Sequence, residues 1–129
     1  MNTTNSAANS AANFSCQVRY SEGIAVLVIS GYFSGANGEL LAVRAIKEAE
    51  QGYKRLILDF SDCRLTNSPG IVSLINLGIR IKEDFGGGVV ICQLDPVQWK
   101  ACDMSSVFEF VEYAPNVEQA IRFFRSLEP

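Results

Sequence analysis

The feature that most constrains the fold of this chain is the alternation of short apolar runs with segments of helical period. The runs Ile24–Ile29, Leu56–Phe60 and Val89–Leu94 have the length and composition of strands buried on both faces. Between the first two runs, apolar residues recur at helical spacing from Asn37 until Gly52 ends the pattern. That stripe consists of Ala42, Ala45, Ile46 and Ala49. A strand, a helix and a second strand predict a parallel pair joined by a right-handed crossover.

Weaker patterns complete the architecture at both ends of the chain. Residues Phe14–Tyr20 alternate apolar and polar side chains, as in a strand with one face in water. A capping-box pattern opens a short helix over Asp95–Met104, and Val117–Phe124 has the apolar spacing of a closing helix. The weakest strand pattern covers Phe108–Tyr113. The sequence therefore predicts one α/β domain with about 4-5 strands and about 4 helices.

The second of the predicted helices begins at a Ser-Pro-Gly sequence that follows a polar turn at residues 61–64. Proline disfavours helical geometry in the residue before it and fits the first helical position. Ser68 is therefore the predicted N-cap, and glycines 86–88 are predicted to end the helix. The predicted buried face consists of Ile71, Leu74, Ile75, Gly78 and Ile79.

The composition excludes several kinds of functional site. The chain has no histidine, which removes Ser-His-Asp and Cys-His catalysis and most zinc and haem ligation. Its formal charge is -3 and it has no basic run, so nucleic acid is not an expected partner. Cys16, Cys63, Cys92 and Cys102 lie far apart and are predicted to be reduced apolar residues. We expect neither a metal nor a cofactor.

Residues 1–13 are predicted to be a flexible polar tail, and residues 14–129 a single domain. The first thirteen residues have no positive charge and no apolar stretch, so they match neither a signal peptide nor a membrane anchor. No apolar run approaches the ~20 residues that cross a bilayer. We therefore expect a soluble protein without membrane insertion, in the cytoplasm.

Residues 24–124 resemble a STAS domain of the anti-sigma factor antagonist type, and three segments carry the likeness. Residues 28–34 (VISGYFS) are similar to the family's second strand, which ends in Gly-x-aliphatic-Asp. Residues 56–61 (LILDFS) and 67–71 (NSPGI) are similar to the next strand and to the Asp-Ser-Ser/Thr-Gly-aliphatic signature that opens the second helix. The third segment is the order of glycines, strand, short helix and final helix in the C-terminal half.

The resemblance implies a mixed β-sheet covered mainly on one face by helices, in a protein that works by binding. In that family an anti-sigma factor kinase phosphorylates the serine that follows the Asp, and the matching residue here is Ser68. A phosphate at a helix N-terminus is favoured by the helix dipole and adds about -1.5 to -2 charge, which would repel a partner that covers this helix end. The predicted partner-binding residues are Ser34, Asn67, Ser68, Pro69, Gly70 and Ile71.

This chain departs from the family pattern at three positions of that surface. Asn67 stands where the family usually has Asp before the serine, and Ser34 stands where the second strand usually ends in Asp. Pro69 replaces a second hydroxyl residue. Asn67 and Ser34 can still accept hydrogen bonds as caps, so the departures leave the predicted fold intact.

The leading hypothesis is an anti-sigma factor antagonist that binds an anti-sigma factor of the serine-kinase type and is switched by phosphorylation of Ser68. The alternative is a STAS scaffold that no phosphate switches, within a stress-signalling complex or a lipid transporter. An enzyme is disfavoured, and Asp59 lacks the acidic cluster that a receiver-type phosphoacceptor needs. Trp99 is predicted to lie in the core and Phe123 to be partly exposed.

Overall fold

The computed structural model describes residues 14–128, so the predicted tail at residues 1–13 lies outside the described residues. Within these residues two strands come first, and helices then alternate with strands. The elements are β1 (Ser15–Ser21), β2 (Ile24–Phe33), α1 (Gly35–Glu50), β3 (Arg55–Thr66), α2 (Ser68–Phe85), β4 (Gly88–Cys92), α3 (Pro96–Met104), a 3₁₀ turn (Val107–Glu109), β5 (Glu112–Ala114) and α4 (Val117–Ser126).

The strands form one mixed sheet in the order of the chain, β1-β2-β3-β4-β5. β1 is antiparallel to β2, and their register places Ser15 opposite Ser30 and Ser21 opposite Ile24. The other neighbours are parallel, because a helix connects each of these pairs. The mixed sheet that the family resemblance implies is therefore confirmed.

Helices α1, α2 and α3 cover one face of the sheet, and α4 covers the other. The larger core cluster includes Leu41 of α1, Leu74 of α2 and Cys102 of α3, packed with strand residues such as Leu58. The smaller cluster, on the other face, consists of Ile24, Val26, Ile57, Val90, Cys92, Ala114, Ala120 and Phe124. The prediction that helices lie mainly on one face is confirmed.

β3 is longer than its apolar run predicts. The polar turn expected at residues 61–64 is wrong, because the strand continues to Thr66. This second half pairs with the end of β2, with Ser30 opposite Asp62 and Phe33 opposite Thr66, through two shifts of register. The extension brings the end of β3 level with the end of β2.

The buried face of α2 is rotated from the predicted one. Leu77 and Ile81 are buried, whereas Ile75 and Ile79, which the pattern placed in the core, are half-buried. Leu77 lies at the boundary with α1, so the neighbouring helix as well as the sheet covers α2. Periodicity alone does not show on which flank a second helix packs.

The predicted ends of the helices are mostly confirmed. Asp95 accepts a hydrogen bond from Gln98 N–H at 2.8 Å, and Gln98 Oε1 accepts one from Asp95 N–H at 3.2 Å, which completes the capping box of α3. Gly86, in the left-handed conformation with φ 68°, ends α2. The last strand, in contrast, begins later than its pattern, because residues 107–109 form a 3₁₀ turn.

Candidate functional site

Two helices begin side by side at one end of the sheet. β2 and β3 end at residues that are paired across the parallel strands, and Ser34 and Asn67 then cap α1 and α2. A Cβ built on Gly35 would lie 2.8 Å from the Cβ of Pro69, which is closer than real Cβ contacts come. Glycine at position 35 therefore allows the two helix starts to touch.

Asn67, and not Ser68, is the N-cap of α2. Its backbone is extended, with φ -120° and ψ 172°, and its Oδ1 accepts a hydrogen bond from Gly70 N–H at 2.9 Å. Ser68 is the first helical residue, so the prediction that it caps the helix is wrong. The physical reason lies in β2, because Asn67 N–H donates to the carbonyl of Phe33 at 3.2 Å and holds the chain extended up to residue 67.

The six residues predicted to bind a partner all lie at these helix starts, with different exposure. Ser68 and Pro69 are exposed, and the Ser68 hydroxyl is not used as the cap. Ser34 and Asn67 are half-buried, while Gly70 and Ile71 are buried. A protein that docks here would therefore meet Ser68 and Pro69 first.

Ser34 is the N-cap of α1, as Asn67 is the N-cap of α2. Its Oγ accepts a hydrogen bond from Asn37 N–H at 3.1 Å, and its carbonyl accepts one from Gly38 N–H at 2.7 Å. The expectation that Ser34 and Asn67 act as caps despite replacing Asp is confirmed. Neither cap introduces a formal charge at the helix starts.

Tyr32 and Asn37 belong to the same site, although the motif comparison does not select them. Asn67 Nδ2 donates to Tyr32 Oη at 2.9 Å, and Asn37 Nδ2 donates to the Tyr32 carbonyl at 2.8 Å. Asn37 is only 3% exposed, so its amide is an integral part of the helix start. The sequence could have indicated Asn37, because it is a polar residue at a position on the buried side of α1.

A groove of about 630 Å³ runs between α1 and α2 from this site. Its walls are mainly apolar, with Glu39 and Arg80 as the charged residues. Val72, on its α2 side, is 51% exposed, and Leu65, close before the helix start on β3, is 65% exposed. The remaining lining residues are Gly35, Gly38, Ala42, Ser68, Pro69, Ser73, Asn76 and Leu77.

Other candidate groups have structural roles. Asp59 is buried and accepts a hydrogen bond from Ser61 N–H at 2.9 Å. Phe123 is half-buried as predicted, whereas Trp99 is 37% exposed and packs on Phe108, so its predicted core position is wrong. Within residues 14–128 there is no group of three or more acidic, cysteine or histidine side chains that could hold a metal ion.

The cysteines are free thiols, as the sequence predicts. Burial raises the pKa of Cys16, Cys63 and Cys102 to about 11 and that of Cys92 to about 12. Such thiols are protonated at neutral pH and are poor nucleophiles. Among the described helices, none is long and apolar enough to cross a membrane.

A mixed sheet with three helices on one face, and two capped helix starts at one end of it, defines a small α/β domain of a known kind. The STAS domain family matches residues 15–120. The chain therefore belongs to the STAS domain family.

Two further comparisons agree with this assignment. A candidate anti-sigma factor antagonist of Bordetella bronchiseptica, BtrV, is 21% identical over 108 residues, which cover 84% of this chain and 92% of BtrV. A candidate anti-sigma factor antagonist of Thermotoga maritima has a crystal structure similar to this fold, with a TM-score of 0.76 at 15% identity. That match covers 85% of this chain and 94% of the other.

The fold is also that of SpoIIAA of Bacillus, an anti-sigma factor antagonist whose structure is known in unphosphorylated and phosphorylated forms. The unphosphorylated form matches with a TM-score of 0.64 at 19% identity and covers 88% of this chain and all of SpoIIAA. The phosphorylated form gives a TM-score of 0.63. The two forms therefore match this fold equally well.

Proposed function

We propose that this chain is an anti-sigma factor antagonist, a regulatory protein that binds an anti-sigma factor. BtrV and SpoIIAA carry this description, and both share the domain with this chain over most of its length. The observation that carries the proposal is the exposed Ser68–Pro69 pair at the start of α2, beside an open apolar groove.

The binding surface would consist of the two helix starts and the groove between α1 and α2. The exposed side chain of Val72 lines the groove, and the exposed side chain of Leu65 lies on β3 just before the start of α2. Fully burying one such side chain is worth about 1.5–3 kcal/mol, so a few of them can drive an association. Gly70 and Ile71 would contribute by holding the helix start in place, because both residues are buried.

Phosphorylation of Ser68 would switch this surface. The hydroxyl is exposed at the first helical residue, where a negative charge is favoured by the helix dipole, so a phosphate would leave the fold intact. The same phosphate would place about -1.5 to -2 charge in the middle of the contact and weaken the complex. The partner in this scheme is an anti-sigma factor of the serine-kinase type. The chain itself acts by binding, without catalysis, in the cytoplasm.

Two substitutions at Ser68 test this mechanism. Ser68→Ala removes only a small hydroxyl and should retain the partner, whereas Ser68→Asp places a charge in the contact and should weaken binding at least about 30-fold. Both variants should stay folded, because Asn67 supplies the cap. Calorimetric titration with the anti-sigma factor kinase measures the two affinities, and mass spectrometry of the mixture with ATP detects phosphate on Ser68.

The matched control is Gln119→Glu, which adds one charge in the first turn of α4, on the other face of the sheet. This variant should bind like the wild type. Equal affinity of Ser68→Ala and Ser68→Asp would contradict the switch and favour a STAS scaffold that phosphate does not regulate.

A further inference from the structure

We propose that Tyr32 is a positioning residue for Ser68, acting through Asn67; this inference rests on the proposed role of Ser68 in binding and phosphorylation. Asn67 immediately precedes Ser68, and its Nδ2 donates a hydrogen bond to Tyr32 Oη at 2.9 Å. Tyr32 lies near the end of β2 and is half-buried. Its side chain therefore reaches from one strand to the helix that follows the neighbouring strand.

The Asn67 amide is held at both ends. Oδ1 accepts from Gly70 N–H at 2.9 Å, while Nδ2 donates to Tyr32. A carboxamide has one acceptor and one donor group, so a flip would place its NH₂ against Gly70 N–H, donor against donor. Gly70 N–H thus selects the amide orientation in which Asn67 caps α2, and the Tyr32 hydroxyl stabilises that orientation by accepting from Nδ2.

Tyr32 also reaches α1, through its backbone. The Tyr32 carbonyl accepts a hydrogen bond from the buried amide of Asn37 at 2.8 Å. The backbone N–H of Asn37 donates in turn to the capping oxygen of Ser34 at 3.1 Å. One residue therefore connects the caps of both helices, with its hydroxyl on the α2 side and its carbonyl on the α1 side.

Tyr32→Phe is the informative variant, because it removes the hydroxyl that contacts Asn67 and keeps both the aromatic ring and the backbone carbonyl that contacts Asn37. Asn67 Nδ2 then loses its acceptor, and the first turn of α2, which carries Ser68, becomes less fixed. We expect hydrogen exchange at the Gly70 amide and at the Asn67 side-chain amide to rise about three- to tenfold. We expect kcat/KM for phosphorylation of Ser68 by the anti-sigma factor kinase to fall by a similar factor, about three- to tenfold.

Tyr20→Phe is the matched control. The Tyr20 hydroxyl donates to Glu48 Oε1 at 2.8 Å, near the opposite end of α1, so the variant removes the same group away from the site. It should leave the exchange of Gly70 and Asn67 and the phosphorylation of Ser68 at wild-type values. Its melting temperature shows how far a lost tyrosine hydroxyl affects global stability alone.

Nuclear magnetic resonance reads the exchange of Gly70 and Asn67 without any partner, which separates the inference from the proposed function. Unchanged exchange in Tyr32→Phe would overturn the positioning role. Faster exchange with wild-type phosphorylation and partner affinity would restrict Tyr32 to the cap and overturn its role for Ser68. A wild-type chain that is neither bound nor phosphorylated would reject the proposed function, while the exchange data would still decide whether Tyr32 positions Asn67.

Discussion

At the scale of single residues, the sequence pattern assigns both the N-cap of α2 and the exposed hydroxyl to Ser68, whereas the structure places the cap on Asn67 and the exposed hydroxyl on Ser68. Asn67 caps α2, and Ser68 presents an exposed hydroxyl in the first helical turn. A capping side chain is committed to backbone N–H groups, whereas a neighbour without that task can be modified at little cost to the helix. Position 68 can therefore change its charge while position 67 keeps the helix start intact.

Alanine substitutions at these two positions should differ in their effect on stability. Asn67→Ala removes the acceptor of Gly70 N–H and should lower the free energy of unfolding by about 1 kcal/mol. Ser68→Ala removes an exposed hydroxyl and should change it by less than about 0.5 kcal/mol. Urea denaturation of both variants measures the difference. A larger loss for Ser68→Ala would mean that Ser68 is the cap after all.

The sequence predicts the caps that depend on local contacts and misses the cap that depends on distant ones. Asp95 and Gln98 bond to each other within one turn, so their pattern is sufficient. Asn67 is held by β2, and its partner Tyr32 lies 35 residues earlier in the chain. The local preference around Pro69 contains no information about that strand, and for this reason it points to Ser68.

At the scale of elements, the site depends on the close approach of each helix start to its neighbours. A Cβ on Gly38 would lie 2.3 Å from Ser73 Oγ of the neighbouring helix. A Cβ on Gly70 would lie 2.4 Å from the carbonyl oxygen of Phe33. The first obstacle also includes the Cβ of Ser73 at 2.6 Å, which rotation of the side chain does not move, and the second is backbone at the end of β2. Neither glycine can therefore take a side chain without a shift of the elements around it.

Gly70→Ala should destabilise the domain by about 1–3 kcal/mol, because either α2 or β2 must shift to admit the methyl group. Gly88→Ala is a suitable control, since its Cβ would make only an ordinary contact of 3.5 Å with Phe124. That control should change stability by less than about 1 kcal/mol, in either direction. Thermal unfolding measures the melting temperatures of the two variants. Equal melting temperatures would show that the start of α2 accommodates a methyl group at position 70 without the expected loss of stability.

The boundary of an element could be predicted where it depends on that element's own residues, and not where it depends on contacts with a second element. The glycine stop of α1 is a property of one helix and is confirmed. Of its predicted stripe, Ala45 and Ala49 are buried, whereas Ala42 and Ile46 are half-buried against the same core. The continuation of β3 to Thr66 requires pairing with the end of β2, and the buried position of Leu77 requires α1 beside α2. Neither contact can be inferred from a stretch of sequence that contains only one of the two elements.

At the scale of the whole molecule, the two faces of the sheet are covered unequally. Three helices pack on one face, while α4 alone packs on the other, mainly through Ala120 and Phe124. Two exposed ion pairs, Arg55–Glu128 and Arg125–Glu22, lie at the end of α4 and contribute little to stability. The burial of Phe124 is therefore what chiefly holds the last helix to the sheet.

The buried thiols predict how the stability of the whole domain responds to alkaline pH. Burial raises the pKa of Cys92 from 9.0 to about 12, and Cys63 and Cys102 shift to about 11. A group whose folded pKa is raised stabilises the fold fully below its unfolded pKa and loses that contribution as the pH rises through the folded value. The free energy of unfolding should therefore decline between about pH 9 and pH 12.

Chemical denaturation at a series of pH values measures this decline. In Cys92→Ala the decline should be shallower, because one raised pKa has been removed. A slope identical to that of the wild type would show that Cys92 ionises as easily in the folded domain as in the unfolded chain.

The order of the strands has a consequence for how the domain forms. Each strand lies beside the strand that precedes it in the chain. Every pair of neighbouring strands can therefore form before the later strands are present. Contacts that are close in sequence form fastest, so β1 and β2 can pair as a hairpin and each later strand can add to an existing edge. A ribosome releases the chain in this same order. α4 emerges after β5 and closes the second face, so a nascent chain exposes Ile57 and Val90 until residues 117–126 have left the ribosome.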